Sequence, residues 1–188
     1  MKLSMDFQSE FETGRLLLRP LAVADADAFF EIFSDPQTMR YWSGSPIHKR
    51  QEAVSLLERE LELSDSGNCV TWGIALPETD QVIGKFTFFQ FSEQNRRAEV
   101  GYILARRHWG RGYMSEVMRC VLDYAFNSLD LHRLEADTDP ANAGSLALLE
   151  KFGFLREGLF RQRWHVDGKW LDSVMLGLLR EDYRTQNL

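Results

Sequence analysis

The chain has 188 residues, 44% hydrophobic and 27% charged, with a net charge of −6, a size and balance that suit one domain with its own core. The acidic excess argues against a nucleic-acid-binding surface, no apolar run reaches the ~18 residues of a membrane span, and the opening MKLSMDFQSEFETG has no apolar leader segment, so the cytoplasm is the expected location. Cys69 and Cys120 sit in no redox or metal spacing, and His48, His108, His132 and His165 form no ligand pair, so no metal site is expected.

In chain order, 15–21 (RLLLRPL) reads as a strand ending at Pro20, and 25–35 as a helix capped by Asp25 with Ala26, Phe29, Phe30 and Phe33 inward. A loop, DPQTMRYWSGSPI, leads to a second helix over 49–63 with a stripe at Ala53, Val54, Leu57 and Leu61. Strands at 69–76 and 81–91 are joined by the turn residues PETD. The next strand, 97–104, alternates: Ala98, Val100, Tyr102 and Leu104 face one way, Glu99, Gly101 and Ile103 the other. After an arginine–glycine turn comes an amphipathic helix with Met114, Val117, Met118, Val121, Leu122, Ala125, Phe126 and Leu129 inward and Glu116, Arg119, Asp123 and Asn127 outward. A strand at 132–138, a helix ending near Gly153 and a strand at 155–164 follow, and Asp167-Gly168 makes a hairpin turn into the last strand. The order β-α-α-β-β-β-α-β-α-β-β, with no repeat or linker, predicts one mixed α/β domain over 1–188, its antiparallel run first and one β-α-β unit bringing two strands parallel.

The turn RRHWGRGYMSEV carries the clearest chemical signal. Arg96, Arg97, Arg106, Arg107 and Arg111 concentrate positive charge in an acidic chain, and they flank glycines that open a helix. Such a helix start offers unpaired N–H groups and partial positive charge, glycine lets the backbone approach an oxyanion, and arginine adds planar donors. Together these describe a phosphate or pyrophosphate cradle, with the Ser115 hydroxyl as a further donor. The plain alternative is a strand-to-helix turn whose glycines relieve strain. A P-loop is disfavoured because Gly-Lys-Ser/Thr is missing. A dinucleotide fingerprint is disfavoured because Ser115 stands where its third glycine belongs and because several strands precede the turn.

Arg107-His108-Trp109-Gly110-Arg111-Gly112 resembles the Arg/Gln-x-x-Gly-x-Gly/Ala signature of the GNAT superfamily of N-acetyltransferases. EVGYILARRHWGRGYMSE together with DPANAGSLALLEKFGF, and the two ends ETGRLLLRPL and DSVMLGLLREDY, are similar to its RimJ/RimL-type subfamily, which acetylates N-terminal residues of ribosomal proteins. The resemblance implies a twisted mixed sheet with helices on both faces, whose fourth and fifth strands (97–104 and 132–138) splay apart. It implies acetyl-CoA as donor, its pantetheine arm pairing with the backbone of Ile103 and Ala105 beside Leu104. The pyrophosphate is expected on backbone N–H groups from Arg107 through Trp109, Gly110 and Arg111 to Gly112, with Tyr113, Met114 and Ser115 beside it. Asn142 matches the residue that steadies the arm, Ser145 lies one helical turn on, and Lys151 is placed to reach a cofactor phosphate or simply the surface.

Acetyl transfer to an amine needs a base, a stabilised oxyanion and a managed thiolate. Glu99 is the candidate base, on the strand bordering the thioester and beside the space left by Gly101; the alternative is a strand glutamate paired with Arg96 or Arg97. The tyrosine that many relatives carry in the helix after the second block is replaced by Leu149, and the resemblance offers Ser145 as acid, or as a helix-face serine. The thiolate, with a thiol pKa near ~8.5, can also leave without one. Tyr41, Trp42, Trp72 and Phe88, with Trp164, are candidates for the acceptor pocket or for core. The acceptor expected from the resemblance is the N-terminal amino group of a protein or peptide. A small amine (polyamine, amino acid or aminoglycoside-like) and a non-catalytic acyl-CoA-binding module are the alternatives, and a homodimer is left open.

Overall fold

The computed structural model describes residues 9–186, so most of the opening stretch on which the leader expectation rests lies outside the described residues. The strands are β1 (Phe11–Glu12), β2 (Leu17–Pro20), β3 (Cys69–Leu76), β4 (Gln81–Ser92), β5 (Arg97–Leu104), β6 (Arg133–Thr138), β7 (Leu155–Val166) and β8 (Lys169–Leu179), and the helices are α1 (Ala26–Ser34), α2 (Arg50–Asp65), α3 (Tyr113–Asp123), α4 (Ala143–Lys151) and α5 (Arg180–Gln186). The strands form one sheet in the order β1-β2-β3-β4-β5-β6-β8-β7. Every neighbouring pair is antiparallel except β5 and β6, the parallel pair that the β-α-β reading anticipates.

Burial explains the layering. β3 and β4 are buried on both faces, which is why they read as near-continuous apolar runs. On one face Phe29, Ile32 and Phe33 of α1 and Ala53 and Leu57 of α2 pack on Ala75, Val82 and Ile103. On the other, Val117, Met118, Val121 and Leu122 of α3 and Leu146 and Leu149 of α4 pack on Trp72, Phe86, Phe88, Val100 and Leu134. The alternation in β5 therefore sends successive side chains into two different cores. At ~25 cal/mol per Å² of apolar surface, each large side chain that closes fully in these clusters contributes about 1.5–3 kcal/mol.

The short strand β1 and the helix α5 stand outside the expected element order, and two further local features depart from the sequence reading. Asp25 does not cap α1 through its side chain; its carboxylate accepts from the Ala22 amide (2.8 Å) and from Arg19 (2.8 and 2.9 Å), tying the helix entrance to β2. The helix after the glycine turn also changes pitch at Tyr124–Ser128, a π-helical segment in which Leu129 N–H donates to the Tyr124 carbonyl, 2.9 Å away. Tyr124, Ala125 and Phe126 are consecutive and all buried. A 3.6-residue period cannot bury three neighbours on one face, and the wider turn can. Arg180 donates to the Phe126 carbonyl (2.6 Å) that the wider turn leaves available.

The feature that matters for function is where β5 leaves β6. The two pair only at Arg97↔Arg133, Ala98↔Leu134 and Glu99↔Glu135. Beyond Glu99, β5 continues to Leu104 with β4 on one side, while β6 continues to Thr138 alongside β8. The parallel pair thus opens into a V, with Glu99 at its apex and Gly101 and Tyr102 just inside.

Candidate active site

Two cavities meet at the V and share Tyr41 and Trp42 as a common wall. The first, about 490 Å³, runs from Tyr102 and Ser145 to the glycine turn. The second, about 350 Å³, holds Glu99, Gly101, Asp137 and Trp164.

The turn is built for backbone recognition. Gly110 and Gly112 both take left-handed conformations (φ +71° and +78°), which side-chain-bearing residues adopt at a cost. Gly112 is the N-cap residue of α3, and the first intrahelical bond runs from Glu116 N–H to its carbonyl (3.1 Å). The amides of Tyr113, Met114 and Ser115 therefore precede any carbonyl the helix offers them. Those three residues and both glycines line the larger cavity, a fit for an anionic diphosphate. Asn142, also in its wall, caps α4 by accepting from Ser145 N–H at 3.1 Å, which leaves its amide nitrogen as the donor it can offer. Lys151 stands beside the turn, its Nζ 3.4 Å from Ser115 Oγ.

Several expected contacts shift. Ala105 N–H donates to Ile83 O at 2.8 Å, and Ile103 lies opposite Lys85 in the same antiparallel ladder. In such a ladder, bonded pairs recur at every second residue, so Ile103 and Ala105 both spend their backbone groups on β4. The backbone groups aimed into the V belong to Tyr102 and Leu104, one residue out of register with the expectation, and the Leu104 carbonyl already accepts from Trp109 Nε1 (2.6 Å). The first half of the turn is also committed: His108 and Trp109 amides donate to Ala105 and Arg106 carbonyls (2.9 and 3.0 Å). Arg107 faces away from the larger cavity, bound to Glu31 and donating to His108 Nε2 (2.9 Å). Arg111 is exposed. Trp72 and Phe88 line neither cavity. Both are 0% exposed and packed edge-to-face, and the Trp72 indole is satisfied by Ser9 O at 2.7 Å. Leu149 is likewise core.

Glu99 stands in the smaller cavity with 6% exposure. The pairing with Arg96 or Arg97 is not made: Arg96 binds Asp130 at 3.1 Å and Arg97 binds Glu135. Burial raises the Glu99 carboxyl to about 7, and the neighbouring Asp137 pushes the same way. A carboxyl poised there exchanges a proton near neutral pH, as a general base requires. Gly101 serves the wall as well as the space, since a Cβ there would meet the Phe89 ring at 3.2 Å. The cavity is rich in acids. Glu60 pairs with the buried Lys85, whose Nζ lies 5.8 Å from the Trp42 ring centre. Asp137 accepts from Arg163 Nε (3.0 Å), from Trp164 Nε1 (3.2 Å) and from Ser173. Asp139 and Asp172 complete the lining. Ser45 hydrogen-bonds Asp167, fastening the Tyr41–Trp42 loop to the β7–β8 hairpin.

Sequence reasoning passed over Tyr102, Lys85, Asp137 and Asp139. Tyr102 lies beside Gly101, and the alternation of the strand puts it on the face opposite Glu99 and Gly101. Asp137 and Asp139 come at the carboxyl end of the strand that closes the β-α-β unit, a position where α/β sheets place ligands, and that was the available clue.

Comparison with known proteins agrees with this geometry. Residues 15–155 match the family model described as the acetyltransferase (GNAT) domain. The chain is 37% identical over 171 residues to the protein named uncharacterized N-acetyltransferase p20 of Bacillus licheniformis, covering 91% of this chain and 96% of that one. It is 24% identical to a spermidine N(1)-acetyltransferase of Vibrio cholerae, covering 90% and 96%. Among solved structures, Mycobacterium smegmatis RimJ in complex with CoA-disulfide superposes with a TM-score of 0.81 at 26% identity, covering 93% of this chain and 87% of that one.

Proposed function

Because the chain belongs to the GNAT acetyltransferase family and is an N-acetyltransferase that takes its acetyl group from acetyl-CoA, we propose that its acceptor is a main-chain α-amino group at the N-terminus of a protein or peptide. The observation that carries this is the poise of Glu99. A main-chain amine ionises near ~8 and a lysine-type amine near ~10.4. A base near 7 faces about one power of ten against the first transfer and more than three against the second. The acidic, aromatic lining suits an acceptor that arrives as a cation.

In this reading the larger cavity holds CoA. Gly110, Gly112 and the amides of Tyr113, Met114 and Ser115 take its pyrophosphate, Leu104 and Tyr102 offer backbone to the pantetheine, and Asn142 steadies that arm. Arg111 and Lys151 add charge at the rim. When bound, the thioester supplies an activated acetyl group at the V. Glu99 takes the proton from the acceptor ammonium, Tyr41 and Trp42 form the wall between donor and acceptor, and Ser145 faces the leaving group. In this reading the described residues, 9–186, make one domain built on the single sheet.

A second reading, a small polyamine acceptor, is favoured by Asp139 and Asp172, whose carboxylates accept from the Ala141 and Gln162 amides (2.7 and 2.8 Å) and make no ion pair among the described residues, and by the loop fastened across the cavity. A relative named as a spermidine acetyltransferase supports it too. The two are separated by a panel of peptides with free α-amino groups, spermidine and free lysine, scored by acetyl-CoA-dependent thiol release. The α-amino reading expects kcat/KM at least about tenfold higher for the best peptide; the reverse order overturns it in favour of the small amine.

A further inference from the structure

Inside the V, the functional reading gives the Tyr102 hydroxyl no role. Tyr102 OH lies 2.7 Å from Ser145 Oγ, bridging β5 to α4 across the opening, and Thr138 Oγ1 stands 3.4 Å from the same serine oxygen. Tyr102 and Ser145 both line the larger cavity, and Tyr102 stacks on Phe86 with rings 5° from parallel. Ser145 is fixed from below, where its amide is held by Asn142.

We propose that Tyr102 is a positioning residue for Ser145: its phenol donates to the serine oxygen, which turns the serine's own proton toward the departing sulfur, so that the pair forms a hydrogen-bonding seat for the thiolate. The inference rests on the reading of the larger cavity as the CoA site.

A hydroxyl oxygen accepts twice but has one proton to give. If Ser145 gave that proton to Tyr102, nothing would be left for sulfur. With Tyr102 as donor, the rival for the serine proton among the described residues is the long contact to Thr138, at the edge of hydrogen-bonding range. Tyr102 keeps its proton firmly, because burial pushes the phenol up to about 12. The same fact excludes full proton transfer. A thiol near ~8.5 is the stronger acid, by roughly three and a half powers of ten, so the pair stabilises a thiolate rather than protonating it. In the step it serves, the amine lone pair makes the C–N bond and the C–S bond breaks with its electron pair left on sulfur. The nitrogen's protons pass to Glu99 and on to water. The thiolate leaves held by Ser145 and takes a proton from water after release. The phenol thereby does from the strand part of what Leu149, an aliphatic core residue, cannot do from the helix.

The test is calorimetry with CoA and with desulfo-CoA, which lacks the sulfur, on the wild type, Tyr102→Phe, Ser145→Ala and the double variant, alongside turnover. Tyr102→Phe is expected to weaken CoA about fivefold and leave desulfo-CoA unchanged. It should lower kcat about 10- to 100-fold, and the double variant should be no slower than Ser145→Ala. Equal weakening of both ligands, multiplying kcat losses or unchanged CoA binding would each overturn the proposal. Should Tyr102→Phe fail to fold, a fluorotyrosine at position 102, a stronger donor of the same shape, must tighten CoA; unchanged binding overturns the idea there as well. Desulfo-CoA binding by the wild type reports separately on the CoA site itself, and its failure would sink that reading first.

Discussion

The two cavities that share the Tyr41–Trp42 wall are made from chain in different ways. The larger one takes much of its wall from two short stretches, 110–115 and 142–148, each a single local structure: a glycine turn entering a helix, and a capped helix start. The smaller one draws on a loop, α2, β4, β5, the end of β6 and the β7–β8 hairpin. A cavity of the first kind recognises with backbone, and its chemistry follows from local geometry. A cavity of the second kind recognises with side chains that only the finished fold brings together.

The largest effect that could break this contrast is at the apex between them. Glu99→Gln keeps the shape and removes the base, and is expected to lower kcat about 10²–10⁴-fold with the calorimetric affinity for CoA unchanged. In the wild type kcat/KM should rise with pH through about 7 as Glu99 ionises, and that limb should vanish in the variant. A variant that loses CoA affinity as well would mean the two cavities are not separable at Glu99.

The same substitution reads on stability, with a sign that follows from the raised carboxyl. Folding favours protonated Glu99. Its stabilising contribution is complete below the ordinary value of 4.5 and is lost as pH rises through about 7. The gap converts to roughly 3 kcal/mol. Glu99→Gln should therefore denature at higher urea than the wild type at pH 8, with the advantage shrinking toward pH 4. An acidic cavity that admits water freely would flatten this difference.

How much of this was legible in the sequence follows the same division. The strand and helix order from β2 to β8, the parallel pair and the glycine turn were readable because each rests on periodicity or on a few adjacent residues, whereas the two-residue β1 and the short α5 are too brief to show a period. Glu99 was readable because its alternation with Gly101 lies within one strand. Asp137 and the buried Lys85 are held in the site by pairings with Arg163, Ser173 and Glu60, partners far away in sequence. Trp72 and Phe88 were left open in the sequence, as aromatics of an acceptor pocket or of the core. They belong to the core because β3 and β4 bury both faces, and an aromatic there has no solvent side to occupy. The backbone groups that face the V lie one residue from the expected Ile103 and Ala105 for a related reason. Which strand edge a backbone group faces depends on the partner strand, here fixed by Ala105 bonding Ile83.

On the backbone-built side, Gly112→Val places a β-branched residue at φ +78°, a conformation that costs about 1–2 kcal/mol and is relieved by rotating the helix entrance. The amides of Tyr113, Met114 and Ser115 would then lose their common direction. Calorimetry should show CoA weakened about tenfold, with the acceptor KM little changed; an unchanged CoA affinity would mean that those amides do not hold the diphosphate.

The smallest expected effect concerns the arginines that first drew attention to the turn. In sequence they suggested added charge and donors beside the backbone N–H groups, but in the fold Arg96, Arg97 and Arg107 are each bound to an acid, and Arg106 donates to Gln37 at 2.9 Å. The Arg107–Glu31 pair is about half exposed on both sides, and such pairs are worth about 0–1 kcal/mol. Arg107→Ala should leave CoA affinity within about twofold at 150 mM salt, because the cation lost was already neutralised and faced another way. A tenfold loss in that variant, with Gly112→Val nearly silent, would reverse the assignment and make the cradle a site of side-chain charge rather than of oriented backbone.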